Sequence, residues 1–260
     1  MGSSRGAVQF VMGSSVRTDI LRVLADRDRS TDDVIDSLDA STSAVYNGLS
    51  ELEDNGLITS ENGTYSLTGR GRLLADIVTE STRHERVLSD MAGYLESHDT
   101  EVLPRPLRLR IGDLAGGSVL EATETEPHRV VTEVTERIDA ADSVKVISPI
   151  HIDSYEGAMP DVEGARLVVD EKVANWASQS RGDVADIFDN VRVRIADVDF
   201  ALGVTGSELL LSLPLLDGSY DSEAEIIAEH DRAREWGDRL FEFVWDDGVP
   251  PDRFDPPDDT

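Results

Sequence analysis

From Ser15 onward the apolar positions Val16, Ile20, Val23 and Leu24 recur at helical spacing, and the polar run from Asp26 to Arg29 closes the segment as a first helix. Ser30 then stands as an N-cap for a short second helix carrying Val34, Ile35 and Leu38, with Asp32 and Asp33 in its first turn. Ser41 caps a third helix whose apolar face is Val45, Leu49 and Leu52, stopped by Asn55-Gly56. Two strand-like runs follow, joined by Asn62-Gly63, a pair suited to a type I′ hairpin because both residues tolerate positive φ. Helix, helix, short turn, helix and hairpin is the order of a winged helix-turn-helix, whose third helix enters the major groove.

The next stretch, from Thr68 to Leu95, repeats apolar residues at helical spacing. Leu74, Ile77, Val78, Leu88 and Met91 are expected to face a second copy of the chain. Beyond His98 the pattern alternates. Helices are predicted for Pro104 to Leu114, Pro127 to Ala140, around Val173 to Ala177, and from Ser222 to about Val244. Strands are predicted for Ser118 to Ala122, Ser143 to Ile150, Ala165 to Asp170, Val191 to Val198, Phe200 to Val204 and Leu209 to Leu213. The proline- and Asp-rich end reads as disordered. The expected organisation is a winged helix over 1–70, a linker and dimerisation helix over 71–97, an α/β domain over 98–245 and an acidic tail over 246–260. The fold class is mixed α+β and α/β.

Composition changes the picture in one respect. The chain of 260 residues carries 53 acidic against 24 basic residues, a net charge of −29, and its only lysines are Lys145 and Lys172. Carboxylates hold hydration water against competing salt, and Arg pairs with them bidentately. The balance therefore points to a haloarchaeal cytoplasm. Residues 1–70 contain six Arg and eleven acids, 6 − 11 = −5, the opposite of the usual charge footprint on DNA. In concentrated salt, where the Debye length falls to about 3 Å, short-range contacts decide instead.

Once Val45, Leu49 and Leu52 turn inward, the third helix exposes Thr42, Ser43, Tyr46, Asn47 and Ser50. Asn pairs bidentately with adenine, and the hydroxyls serve base edges or phosphates. Arg17, Arg70 and Arg72 are the expected phosphate contacts, with Asn62 at the wing tip.

Catalytic readings fall away. With no cysteine there is no thiolate site. The five histidines show no helical metal-ligand spacing. Neither lysine follows a histidine at the His-x-Lys spacing of a phospholipase-D-like hydrolase, and no Gly-x-Ser-x-Gly elbow occurs. No metal, cofactor or membrane partner is expected, and no enzymatic activity. The α/β domain is expected to sense a small molecule at the carboxyl ends of its strands, through Ser148, His151, Asp170 and Trp176.

The run Gly13 to Asp26 resembles the opening helix of archaeal winged-helix regulators. Tyr94 to His128, with Ser97-His98-Asp99, Leu103-Pro104 and Leu109 to Leu114, is similar to the middle domain of the FilR-type family, named for a methanogenesis regulator. Ser97 stands where the familiar form has Thr. The resemblance implies a transcriptional regulator bound to double-stranded DNA, and the α/β domain also resembles the phospholipase-D-like sensor of sugar-responsive archaeal regulators. The expected function is a dimeric, effector-responsive DNA-binding regulator. Its alternatives are a protein-interaction adaptor that does not bind DNA and a constitutive architectural DNA binder without ligand.

Overall fold

The computed structural model describes residues 6–150, 164–180 and 191–254. The chain divides into two compact units, Met1–Arg83 and His84–Thr260.

The first unit is a winged helix of the expected order with two additions. Helices α1 (Ala7–Met12), α2 (Ser15–Asp26), α3 (Thr31–Asp36) and α4 (Thr42–Asp54) precede the hairpin β2 (Ile58–Glu61) and β3 (Thr64–Leu67). A two-residue strand β1 (Arg29–Ser30) pairs with β3 to complete an antiparallel sheet of order β1-β3-β2. The helix α1 and the strand β1 were not expected. Both are too short to show a period, and α1 forms because Val11 and Phe10 pack onto the common core. That core contains Ile20, Leu21, Leu24, Val34, Val45, Leu49, Leu52 and Leu57, each 2% exposed or less. Burying such a side chain contributes about 1.5–3 kcal/mol. The Asn62-Gly63 turn has φ of 51° and 78°, the positive pair a type I′ turn requires.

Helix α5 (Gly69–Asp90) carries the chain from the first unit into the second. The five apolar residues expected to face a partner are divided. Leu74 and Val78 are buried in the first unit's own core and Met91 in the second unit's, whereas Ile77 and Leu88 are exposed, as is Leu73.

The second unit contains α6 (Ala92–Ser97), α7 (Arg105–Arg108), a 3-10 turn (Ile111–Leu114), β4 (Ser118–Glu121), α8 (Arg129–Asp139), β5 (Val144–Ser148), β6 (Arg166–Asp170), α9 (Glu171–Ser180), β7 (Arg192–Ala196), β8 (Ala201–Thr205), β9 (Leu209–Ser212), β10 (Ala224–Ala228) and α10 (Asp231–Asp247). The strands form one sheet of order β4-β10-β9-β8-β5-β6-β7, parallel only across β5-β6-β7. Alternation along each strand divides the core in two. Leu209, Leu211, Ile226 and Val168 join Trp236, Leu240 and Phe241 of α10 on one face, while Leu210, Ile227 and Val144 meet Val130, Val134 and Ile138 of α8 on the other.

Three expectations are corrected here. The predicted helix from Ser222 begins instead at Asp231, capped by the His230 ring nitrogen, and Ala224–Ala228 is a strand paired on both sides. Ala and Glu favour a helix locally, but burial between β4 and β9 prevails. The predicted helix over Pro104 to Leu114 is split into α7 and the 3-10 turn. Residues 246–254, placed in a disordered tail, are ordered: α10 runs to Asp247, Val249 exchanges backbone hydrogen bonds with Ile195, and Phe254 packs near Leu167 and Val169. No helix among the described residues is long and apolar enough to cross a membrane.

Candidate functional site

Helix α4 is held at both ends. At its start the Ser41 side chain accepts from the Ala44 N–H at 3.3 Å, and at its end the Asn55 amide donates to the Glu51 carbonyl at 2.8 Å. The preceding α3 is set by a reciprocal capping box between Ser30 and Asp33. The Ser30 hydroxyl, and then its N–H, hold the Asp33 carboxyl below its ordinary range. Gly48 lets α4 approach α2 closely, since a Cβ there would lie 2.8 Å from Ile20 Cδ1. With Val45, Gly48, Leu49 and Leu52 inward, Thr42, Ser43, Tyr46, Asn47 and Ser50 form a continuous exposed stripe, Tyr46 at 52%. Among the described residues the Ser43 hydroxyl meets the Ser41 hydroxyl, at 3.2 Å. Asn62 is exposed at the tip of the β2–β3 hairpin.

The three arginines expected at phosphates are engaged within the fold. Arg17 donates to the Phe10 carbonyl from Nε at 3.0 Å and Nη2 at 2.7 Å, pairs with Glu51 on α4 and lies 4.3 Å over the Phe10 ring. Arg70 donates to the Asn55 carbonyl at 3.0 Å, and Arg72 to the Ala25 carbonyl. These three acceptors lie at or just beyond the C-terminal ends of α1, α4 and α2, where carbonyls have no partner within the helix. A guanidinium satisfies them and meets the negative end of the helix dipole. Sequence reasoning missed this role because each acceptor is a backbone carbonyl, which no side-chain pattern marks. Thr68 adds to the bracing of α4, its N–H and hydroxyl reaching the Leu57 carbonyl and the hydroxyl also the Gly56 carbonyl.

In the second unit the expected ligand residues have separate surroundings. Asp170 is 1% exposed and engaged: one carboxylate oxygen accepts from the Lys172 N–H at 2.8 Å, opening α9, and the other from the Val198 N–H at 3.2 Å. Ser148 is half-buried at the carboxyl end of β5 and donates to the Ile150 carbonyl at 2.7 Å. Trp176 is 39% exposed on α9. His151 lies outside the described residues. A second polar cluster, not foreseen, sits at the same end of the sheet. His98 is buried, its ring stacked on Tyr94 with centroids 3.6 Å apart, and its Nε2 lies 3.1 Å from Asp221. Burial pushes the Tyr94 phenol well above its ordinary range, and its oxygen accepts from the Leu213 N–H at 2.8 Å. Glu225 on β10 is buried, and burial followed by the nearby Asp221 charge pushes its carboxyl up to about 8.

Two domain families match the chain. The HVO_A0261 N-terminal domain covers residues 5–89, and the middle domain of the methanogenesis regulatory protein FilR1 covers residues 127–247. The second match begins where the segment that suggested the resemblance, Tyr94 to His128, ends. A curated relative, the methanogenesis regulatory protein FilR1 of Methanothrix harundinacea (strain 6Ac), is 25% identical over 252 residues. That alignment covers 91% of this chain and 56% of the relative, so the chain spans about half the length of the protein it matches. Among solved structures, TrmBL2, described as an archaeal chromatin protein with a novel mode of DNA binding, is similar over 95% of this chain and 100% of its own, with 12% identity and a TM-score of 0.41. Quinone-bound YodB of B. subtilis covers 30% of this chain and 91% of its own, with 21% identity and a TM-score of 0.29. ZitR of Lactococcus lactis covers 39% and 69%, with 25% identity and a TM-score of 0.28. The two domain matches stand in order along the chain and the curated relative aligns across both, so the chain is similar over most of its length to a FilR-type regulatory protein.

Proposed function

We propose that the chain is a sequence-specific DNA-binding transcriptional regulator of a salt-rich archaeal cytoplasm, non-catalytic and responsive to a small effector. One observation carries this reading. The arginines around α4 brace the helix, while Thr42, Ser43, Tyr46, Asn47 and Ser50 present hydroxyls, an amide and a phenol outward from a rigid element. A helix so presented, with an Asn-Gly wing beside it, suits the major groove. The second unit, read as a phospholipase-D-like sheet without the His-x-Lys motif, is the sensor. Exposed Leu73, Ile77 and Leu88 on α5 suit pairing with a second copy, so that two half-sites are read together.

The test is a footprint on the native promoter in molar KCl. Two protected half-sites with centres about 10 base pairs or a multiple apart are expected. Asn47→Ala and Tyr46→Ala lose occupancy about tenfold or more, in line with roughly 1–3 kcal/mol of discrimination for a bidentate Asn–base pair, and melt as the wild type does. Unchanged footprints in both variants would remove α4 as the reader.

A further inference from the structure

Glu225 is the group that the reading above leaves without a role. Glu225, the second residue of β10, is 4% exposed, and burial and the Asp221 charge, with no hydrogen bond, set the state of its carboxyl among the described residues. A buried carboxyl with neither a donor nor a cation is costly to keep, and fold stability alone would replace it with an apolar residue.

The strand register shows what Glu225 faces. It pairs with Leu120 of β4, and both share the side of the sheet on which Ile227 and Leu210 meet α8. One position beyond the Ile226–Leu211 pair, Glu225 comes opposite Ser212, which pairs with Ala201 of β8. One position beyond Ile147–Leu202, Ala201 comes opposite Ser148, which pairs with Val169 of β6. The row Glu225, Ser212, Ala201, Ser148 therefore crosses the centre of the sheet on the α8 side. Its members on β9, β8 and β5 are all small, and Ala201, Ser148 and the adjacent Val146 are only half-buried although they lie on inner strands. Ser148, at one end of the row, is the last residue of β5, the strand that is parallel to β6 and antiparallel to β8.

We propose that this row is a binding site for a small organic cation, an amine or guanidine whose N–H groups are received by Glu225 and by the hydroxyl oxygens of Ser212 and Ser148. The sign of the charge follows from the surroundings. Asp221 is the charged group set against Glu225, and its carboxylate raises the cost of a second negative charge. Tyr94 of α6 stays protonated, Leu120 and Ser212 flank the position from β4 and β9, and α8 contributes Val130 and Val134 to that side of the core. No arginine or lysine lies in the row. A bound cation supplies the missing counter-charge, and Glu225 gives up its proton to the solvent as the cation enters. The site rests on the reading of the second unit as an effector sensor.

The test uses the full chain in molar KCl and isothermal calorimetry with putrescine, agmatine and guanidinium, against the uncharged 1,4-butanediol and the anion succinate. One or more of the cations binds, with close to one proton released per molecule at pH 6, and the affinity rises about fiftyfold between pH 6 and pH 8, levelling off above. Glu225→Gln abolishes binding while keeping the shape of the side chain, and Ala201→Leu abolishes it by filling the row while leaving the carboxyl in place. The proposal is overturned if none of the three cations binds, if succinate or butanediol binds as well as they do, or if Glu225→Gln binds with unchanged affinity. Repeating the promoter footprint with the bound cation separates the two ideas. Binding without any change of occupancy sinks the effector reading and leaves the site standing.

Discussion

The charge arrangement of the first unit predicts an unusual dependence of DNA binding on salt. A protein that neutralises phosphates with Lys or Arg releases condensed cations, and log K falls with log salt by about 0.9 per contact. Helix α4 contains no Arg or Lys, and Arg17, Arg70 and Arg72 are already engaged with helix-end carbonyls. Arg22, Arg29 and Arg83 pair with Asp19, Asp26 and Glu80. Among the described residues of this unit, that leaves the exposed Arg27. Two copies on one operator then make about two such contacts, for a slope of about −2. Glu53, Asp54 and Glu61, exposed at the end of α4 and on the wing, oppose the phosphates and require cations to be taken up, which moves the slope toward zero or above. A typical reader with 6–10 phosphate contacts has a slope of about −5 to −9. Fluorescence anisotropy with the footprinted operator, titrated from 0.5 to 3 M KCl, reads the slope directly. A value of −5 or steeper would refute the reasoning, because it would require the bracing arginines to leave their carbonyls and turn to the DNA.

Two further outcomes follow from packing and titration. Gly71→Ala places a Cβ 1.8 Å from the Leu57 carbonyl oxygen, a backbone atom that cannot swing away; the first unit should lose about 3 kcal/mol or more, and a melting curve within about half a kcal/mol of wild type would show that α5 shifts to relieve the clash. Glu225 has a carboxyl pKa raised from 4.5 to about 8 in the folded chain, so its contribution is full below pH 4.5 and is lost as pH rises toward 8, up to a ceiling of about 5 kcal/mol at 1.36 kcal/mol per unit. Without ligand, Glu225→Gln should therefore gain stability over wild type between pH 5 and pH 8, and an equal difference at both pH values would show that the carboxyl is not perturbed.

Much of the first unit was legible because its signals are local. The Ser30 and Ser41 caps, the spacing of Val45, Leu49 and Leu52, and the Asn62-Gly63 turn each depend on residues a few positions apart. What escaped depends on distant partners. The strand Ala224–Ala228 reads as a helix until β4 and β9 are known to lie on either side of it. The apolar length of α5 reads as a dimer seam until Leu74 and Val78 are seen in one core and Met91 in the other. The arginines read as free cations, since a carbonyl seven or fifteen residues away leaves no trace in composition. Glu225 is invisible for the same reason: its burial is a property of the sheet, set by the strands β4 and β9 on either side of it.

The division of labour around α4 bears on how such proteins diversify. Among the described residues, Thr42, Tyr46, Asn47 and Ser50 are exposed and take no part in the core, whereas the neighbouring Val45, Gly48 and Leu49 fix the helix in place. A duplicated gene can thus alter the outward positions one at a time without first acquiring a compensating change in the core. Each such exchange tries a new recognition sequence on an unaltered scaffold, and a set of paralogues with different targets is reachable by single steps, none of which passes through an unfolded protein.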